Sequence, residues 1–174
     1  MHCLFKNFLK CICINLSFII ASGQYWQQSV DYEMNVTLID SVRQLACNSK
    51  IIYKNNSPDK LNDIFIHLYP NAFQPGSVKS RDYLNGYGRE SRASYFKGGL
   101  DGYKSKIDVR NLTIAKNDNF ILDNYKIDDT ILQAKLKQPL LPGEKLTIDI
   151  DWNHHVGGMV ERAGYYEGQY NMAQ

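Results

Sequence analysis

The chain has 174 residues, of which 44% are apolar, 22% charged and 12% aromatic. These proportions exclude a disordered tail, a collagen-like repeat and a disulfide scaffold, and the length suits one globular domain or most of one. Twenty basic against eighteen acidic residues give a net charge of +2, whereas a nucleic-acid-binding domain is usually strongly basic. We therefore expect no nucleic-acid partner.

Residues 1–23 have the order of parts found in a secretory signal peptide. Two lysines precede an apolar run of eleven residues, and the small residues Ala21, Ser22 and Gly23 follow. A helix that spans a membrane needs about 20 mostly apolar residues, so this run is too short. We expect cleavage after Gly23, export to the periplasm, the cell surface or the medium, and membrane association only through an uncleaved signal.

Removal of this segment changes the charge and the cysteine count. Eighteen of the twenty basic residues remain in the mature chain, residues 24–174, against eighteen acidic residues, so it is near neutral. Cys47 is the one cysteine left, and no internal disulfide can form even where oxidising conditions permit one. Its place on the apolar face of a predicted strand favours a small buried side chain over a nucleophile.

Seven segments have the pattern or composition of short strands. They are 32–40, 45–53, 64–69, 106–115, 119–122, 130–137 and 145–153. The clearest alternation is in the last, whose inward side chains are predicted to be Leu146, Ile148, Ile150 and Trp152. The first is predicted to have an apolar face made of Tyr32, Met34, Val36 and Leu38. The segment 64–69 is apolar on both sides, which predicts burial on both faces.

These segments favour an all-β fold, an antiparallel β-sandwich or a saddle-shaped curved sheet. Two regions lack the strand pattern. Residues 74–104 form a 31-residue connection rich in Gly, Tyr, Ser and Arg, which predicts a functional or a mobile loop. From Val156 onward the chain is rich in glycine, and we expect a domain that is incomplete at its C-terminal end.

The residues alone contain no catalytic or metal-binding set. His154 and His155 follow Asp149 and Asp151, but adjacent residues on a strand point to opposite faces, so we expect no metal site there. His67 is expected to be a core or edge histidine. The H-E-x-x-H, G-x-S-x-G and C-x-x-C motifs are absent from the sequence.

The connection 74–104 interleaves basic residues with tyrosines. Single-strand nucleic-acid binders have this composition, but in an exported protein a polysaccharide or a peptide is the better match, because aromatic and arginine side chains supply stacking and hydrogen bonds. Tyr87 and Tyr95 are the residues that we expect to carry such binding.

Three stretches, taken in order, resemble the amino-terminal domain of zinc aminopeptidases of the aminopeptidase N family, particularly an exported bacterial branch. They are YWQQSVDYEMNVTLID at 25–40, IIYKNNSPDKLNDIFIHLYPNAFQPGS at 51–77 and LLPGEKLTIDIDW at 140–152. The resemblance implies a saddle-shaped β domain that packs against a thermolysin-like catalytic domain. In that catalytic domain two His and a Glu bind zinc, and the Glu of H-E-x-x-H activates water.

The resemblance further implies that this chain is a non-catalytic fragment, which forms one wall of the peptide-binding cleft and is inactive alone. Zinc is expected in the missing catalytic domain and no cofactor in this chain. The implied partners are that domain and a peptide substrate. In relatives a Gln or Glu near the end of the β domain binds the free amino group of the substrate, and Gln169 and Gln174 are the candidates here.

The alternative hypothesis is a complete secreted β-sandwich module that binds glycan or peptide through residues 74–104. The two hypotheses differ in the surface that they predict. A domain that packs against a second domain has a large apolar patch when it is isolated, whereas a binding module should bind glycan or peptide saturably, through Tyr87 and Tyr95 of the connection.

Overall fold

A computed structural model describes residues 25–85, 104–158 and 163–172. Within these ranges the chain forms antiparallel strands, one short helix, α1 (Val78–Leu84), and 3-10 turns at Asp40–Val42 and Tyr69–Phe73. The strands are β1 (Ser29–Ile39), β2 (Gln44–Lys54), β3 (Leu61–His67), β4 (Lys106–Lys116), β5 (Asn119–Phe120), β6 (Leu122–Asp128), β7 (Ile131–Leu140), β8 (Lys145–His155), β9 (Ala163–Tyr166) and β10 (Gln169–Met172). The predicted all-β class is confirmed. None of the helices in these ranges is long and apolar enough to span a membrane.

The strands form two main sheets and a hairpin. The larger sheet has the order β1-β2-β8-β4-β5, the smaller has the order β3-β7-β6, and β9 pairs with β10. Apolar side chains from both main sheets meet in one core. Its best-buried members are Ile114, Leu132, Leu140, Leu146 and Ile148.

β8 lies at the centre of the larger sheet and confirms the predicted alternation. Leu146, Ile148 and Ile150 are buried and Trp152 is half-buried, while Asp149 is exposed. β8 pairs with β2 along all eleven of its residues. A slip of one residue would turn the carboxylates into the core, so burial of the apolar face holds this register.

Ile121 marks the point where the chain passes from one main sheet to the other. The predicted strand 119–122 is therefore wrong, because β5 ends at Phe120 and β6 begins at Leu122. The Ile121 N–H donates to the Ile114 carbonyl of β4, and its own carbonyl accepts from the Lys137 N–H of β7. The side chain of Ile121 is buried between the sheets.

Asn55, fully buried, joins two of the turns that carry the family resemblance. Its side-chain amide donates to the carbonyl oxygens of Asp59 at 2.7 Å and Leu140 at 3.1 Å, and its Oδ1 accepts from the Ser57 hydroxyl at 2.6 Å. Its carbonyl accepts from the N–H of Gly143 at 2.7 Å, where φ is +81°. These motif residues therefore have a structural role in linking the turn after β2 to the turn before β8.

The prediction that 64–69 is buried on both faces is wrong. Ile64 is buried and Ile66 packs against the core, but Phe65 and Tyr69 are 60% and 64% exposed. β3 is an edge strand of the smaller sheet, and one of its faces meets the larger sheet. Apolar composition on both faces of a strand does not by itself supply a second covering layer. His67 is an edge histidine, as predicted, and stacks on the Tyr69 ring.

The regions without a strand pattern contain regular structure as well. α1 lies inside the predicted loop 74–104, where the Ser77 hydroxyl accepts from the Ser80 N–H at 3.1 Å. Beyond Val156 the sequence predicted no strands, and this is wrong, because β9 and β10 form a hairpin. Residues 86–103, with Tyr87 and Tyr95, lie outside the described residues, as do residues 1–23.

Candidate functional site

The inner face of the larger sheet continues from the core onto β1. Directly opposite residues of an antiparallel pair share one face of the sheet. Tyr32 lies opposite Ile51, and Val36 lies opposite Cys47, which in turn lies opposite Trp152. The predicted apolar face of β1 therefore belongs to the same surface that forms the core on β2 and β8.

On β1 this surface is exposed. Tyr32 is 62% exposed, Met34 49%, Val36 54% and Leu38 47%, whereas Ile51 on the neighbouring strand is 8% exposed. We call Tyr32, Met34, Val36 and Leu38 the β1 stripe. Alternation correctly predicted that the four share a face. Among the described residues the core packs against Val30 at the start of β1 but leaves these four side chains about half exposed.

Trp152 lies on β8, on the same face of the sheet as the β1 stripe, with Cys47 of β2 between it and Val36. Its ring packs against the core, and its Nε1–H donates to the hydroxyl of the buried Ser49 at 3.1 Å. A satisfied indole N–H lets this large apolar ring remain half-buried. Cys47 lies opposite Trp152 on β2 and is buried and free, and desolvation raises the pKa of its thiol. The prediction of a small buried side chain at Cys47 is confirmed.

His154 occupies the inner face at the far end of β8. Its Nε2 lies 2.8 Å from the Ser105 hydroxyl, and desolvation, with a smaller repulsion from His155, lowers the pKa of His154 to about 4. His154 is therefore neutral at pH 7. The cavity beside it measures about 20 Å³, room for one water molecule at most. This geometry gives His154 a packing role with a satisfied hydrogen bond.

His154 and His155 lie on opposite faces of β8, as the argument against a shared metal ion requires. His154 pairs with Ile107 on the inner face, whereas His155 pairs with Lys106 on the outer face and is exposed. The Asp151 carboxylate accepts hydrogen bonds from the side-chain amides of Asn48 and Asn111. No group of three or more His, Cys, Asp or Glu suited to a metal ion occurs in the described ranges.

The β9–β10 hairpin is tied to the turn between β1 and β2. The Tyr170 hydroxyl donates to the Asp40 carboxylate at 2.6 Å, and this bond is the main cause that raises the pKa of Tyr170 to about 12. The Arg43 guanidinium lies 4.1 Å from the centroid of the Tyr165 ring. The hairpin is therefore held at the end of β1 by one charge-assisted hydrogen bond and one cation–π contact.

Of the two glutamines expected to bind a substrate amino group, one can be placed. Gln169 begins β10 and is exposed, directly after the hairpin turn at Glu167 and Gly168. Gln174 lies outside the described residues. The hairpin itself was missed, although Gly168 between two tyrosine-bearing segments was a signal: Glu167 and Gly168 have φ angles of +47° and +81°, as a two-residue type I′ turn requires.

A second, open cavity of about 380 Å³ lies between the start of α1 and the turn after β6. Asp129 in this turn has a left-handed φ of +52°. Its Oδ2 accepts from the Val78 N–H at 3.2 Å, and its backbone carbonyl accepts from the side-chain amide of the buried Asn71 at 3.1 Å. These contacts show that Asp129 anchors α1 to the smaller sheet.

Comparisons with known proteins add no identification to this geometry. No protein-family model matches the chain, and no curated protein matches it. Function must therefore be argued from the residues and surfaces themselves, of which the β1 stripe is the feature that departs most from the pattern of the rest of the sheet.

Proposed function

We propose that this chain is the amino-terminal β domain of an exported zinc aminopeptidase-like metallopeptidase. Its role is to support catalysis: the domain forms one wall of the peptide-binding cleft and packs against a catalytic domain. The sequence basis for the proposal is the ordered resemblance of residues 25–40, 51–77 and 140–152. The chemistry belongs to the catalytic domain, which supplies zinc with its two His, its Glu ligand and its general base.

The observation that carries the proposal is the β1 stripe. Four consecutive inward positions of one strand leave apolar side chains about half exposed, and contiguous apolar surface of this kind marks a site of contact with another protein surface. A catalytic domain packed against this face would remove the stripe from water. Because each of these side chains is already about half buried, covering the rest would contribute roughly half of the 1.5 to 3 kcal/mol of full burial, or about 1 kcal/mol each.

The residues of this chain would bind and orient the substrate and would take no part in the bond-breaking step. Gln169, exposed beside the hairpin turn, is the described candidate for contact with the substrate amino group, and Gln174 is the second candidate. The described residues do not fit a zinc site, because His154 and His155 face opposite sides of β8. We therefore assign the metal to the catalytic domain.

The decisive experiment uses the protein encoded by the whole reading frame. We expect H-E-x-x-H and a downstream glutamate in that frame, bound zinc, and hydrolysis of an aminoacyl p-nitroanilide that a chelator abolishes. Met34→Lys, in the β1 stripe, should lower this activity, while Phe120→Lys, at an exposed apolar residue on the opposite edge of the same sheet, should not. A frame without the motif, or a zinc-free protein, would remove the proposal.

The second candidate function is a secreted module that binds glycan or peptide. It is favoured by the β3 row, our name for the rings of Phe65 and His67 on β3 and of Tyr69 in the 3-10 turn that follows. Phe65 and Tyr69 are well exposed, and the rings of His67 and Tyr69 stack with centroids 5.0 Å apart and planes 3° apart. Beside this row Gln133 donates to Asp63 at 3.0 Å. Flat exposed rings next to hydrogen-bonding groups can stack on a sugar ring.

Calorimetric titration with soluble oligosaccharides and peptides tests this second candidate. We expect saturable binding that Phe65→Ala and Tyr69→Ala weaken, while Phe120→Ala, an equally exposed aromatic residue elsewhere, leaves it unchanged. Binding that all three substitutions leave unchanged would exclude the β3 row as the site.

A further inference from the structure

β1 has an outer edge that no described strand pairs with, and it lacks most of the devices that usually protect such edges. An unpaired edge offers a row of free N–H and C=O groups to another strand, and proteins usually blunt it with short strands, bulges, prolines or charged side chains, lysine above all. β1 is eleven residues long and contains no Pro, Gly, Lys or Arg. Its register with β2 runs without a bulge from Ser29 to Ile39.

The other edge strands of the two main sheets are protected in the described ranges. β5 has two residues, and β3 and β6 have seven each. β3 has a register shift between Leu61 and Asp63, and β6 has one between Leu122 and Asn124. β6 also carries Lys126. The long, regular edge of β1 is therefore the exception in this fold.

We propose that β1 pairs antiparallel with β1 of a second copy of this chain, so that two five-stranded sheets form one continuous sheet across a two-fold axis. The charge distribution along β1 supports this occupant. The two charges of the strand, Asp31 and Glu33, both lie in its first half, and the second half is uncharged. Antiparallel pairing places the acidic half of each copy beside the neutral half of the other, as a two-fold interface requires.

The register follows from the length of the strand and from its charges. Pairing centred on Met34 uses all eleven residues and places Glu33 opposite Asn35 of the second copy. It keeps the two β1 stripes on the same face, with Tyr32 opposite Val36 of the second copy, where cross-strand apolar contacts stabilise the pair. Pairing centred on Glu33 would place two glutamates opposite each other, and like charges in that position are destabilising.

This inference does not rest on the proposed function, because it uses the edge of β1 and not the identity of any further domain. Sedimentation equilibrium of the chain without residues 1–23 tests it through charge changes at Asn35, which is exposed on the outer face. Asn35→Lys creates two Lys–Glu33 pairs per dimer and should tighten dimerisation roughly 3- to 10-fold, while Asn35→Glu should weaken it by a similar factor. Added salt should reduce both effects.

The control is Asn62, an exposed asparagine on the edge strand β3. Asn62→Lys and Asn62→Glu should leave the dimer dissociation constant unchanged, and circular dichroism should show that all four variants are folded. A chain that stays monomeric up to millimolar concentration would overturn the inference. A dimer that responds equally to both Asn35 variants, or assemblies that grow beyond the dimer, would overturn the proposed pairing.

Discussion

β1 and β8 have the same length and the same alternation of apolar and polar residues, yet the structure treats them differently. β8 lies between β2 and β4 under the smaller sheet, and its inward side chains form the middle of the core. β1 lies at the edge of the same sheet, and its corresponding side chains are about half exposed. Alternation therefore determines which side chains share a face, while the position of the strand in the sheet determines whether that face is covered.

The largest expected difference between the two strands is in stability. Ile148→Ala in β8 removes a nearly fully buried side chain and should lower the free energy of unfolding by about 2 to 5 kcal/mol. Met34→Ala in the β1 stripe removes a half-exposed side chain and should cost less than about 1 kcal/mol. Urea unfolding of the two variants measures the difference, and equal losses would show that the stripe is buried.

His154, at the far end of β8, should also make the free energy of unfolding depend on pH. The pKa of His154 is lowered to about 4 in the folded chain, from an ordinary value of 6.5. Between these values the unfolded chain binds a proton that the folded chain does not, so stability is full above pH 6.5 and falls as the pH decreases toward 4, by about 3 kcal/mol.

Urea unfolding between pH 7 and pH 4 checks this effect. His154→Gln should remove most of the pH dependence in this window, because no group at position 154 then titrates. His155→Gln, at the exposed neighbour on the outer face, should leave most of it in place, because repulsion from His155 is the smaller cause of the lowered His154 pKa. A wild-type chain with the same stability at pH 7 and pH 4 would contradict the assignment.

A polar substitution in the β1 stripe should reduce the exposed apolar surface while leaving the free energy of unfolding nearly unchanged. Met34→Gln should change the free energy of unfolding by no more than about 0.5 kcal/mol, as at ordinary surface positions. It should also lower the fluorescence of a dye that binds apolar surface. Phe120→Gln, at an exposed aromatic residue outside the stripe, serves as the control and should leave most of the dye signal intact.

The smallest expected effect concerns the hairpin beside the end of β1. Asp40→Asn removes the carboxylate whose hydrogen bond is the main cause that raises the pKa of Tyr170 to about 12, so this pKa should fall. Ultraviolet titration of the tyrosines follows the change. Asp31→Asn, at the opposite end of β1, should not move it, and an unchanged titration of Asp40→Asn would rule out the hydrogen bond.

The correct and wrong predictions have different physical origins. β8 was predicted well because a mismatch of its faces would bury the two aspartates of the strand, and β2 because a mismatch would bury Asn48 and Lys50, which is costly. The burial of β3 was predicted wrongly because its outer face is apolar in composition but no layer formed by the described residues covers it. The β9–β10 hairpin depends on positive φ angles at Glu167 and Gly168 and on the distant Asp40, neither of which produces periodicity.

The candidate sites divide in the same way. The predicted burial of Cys47 and the separation of His154 from His155 follow from alternation along single strands. Neither the exposure of the β1 stripe nor the bond between Tyr170 and Asp40 could be predicted, because both depend on which elements become neighbours.

By itself the sequence determined the long strands β1, β2, β4, β7 and β8, since these depend on side-chain periodicity and on residues near each other in the chain, whereas β6, β9 and β10 were missed. The tertiary structure alone decided that β1 lies at an edge among the described strands, that most of its inner face stays uncovered there, and that Asn55 joins turns 85 residues apart. The reason is that covering a face requires a second element brought from elsewhere in the chain, and local periodicity carries no information about where that element ends.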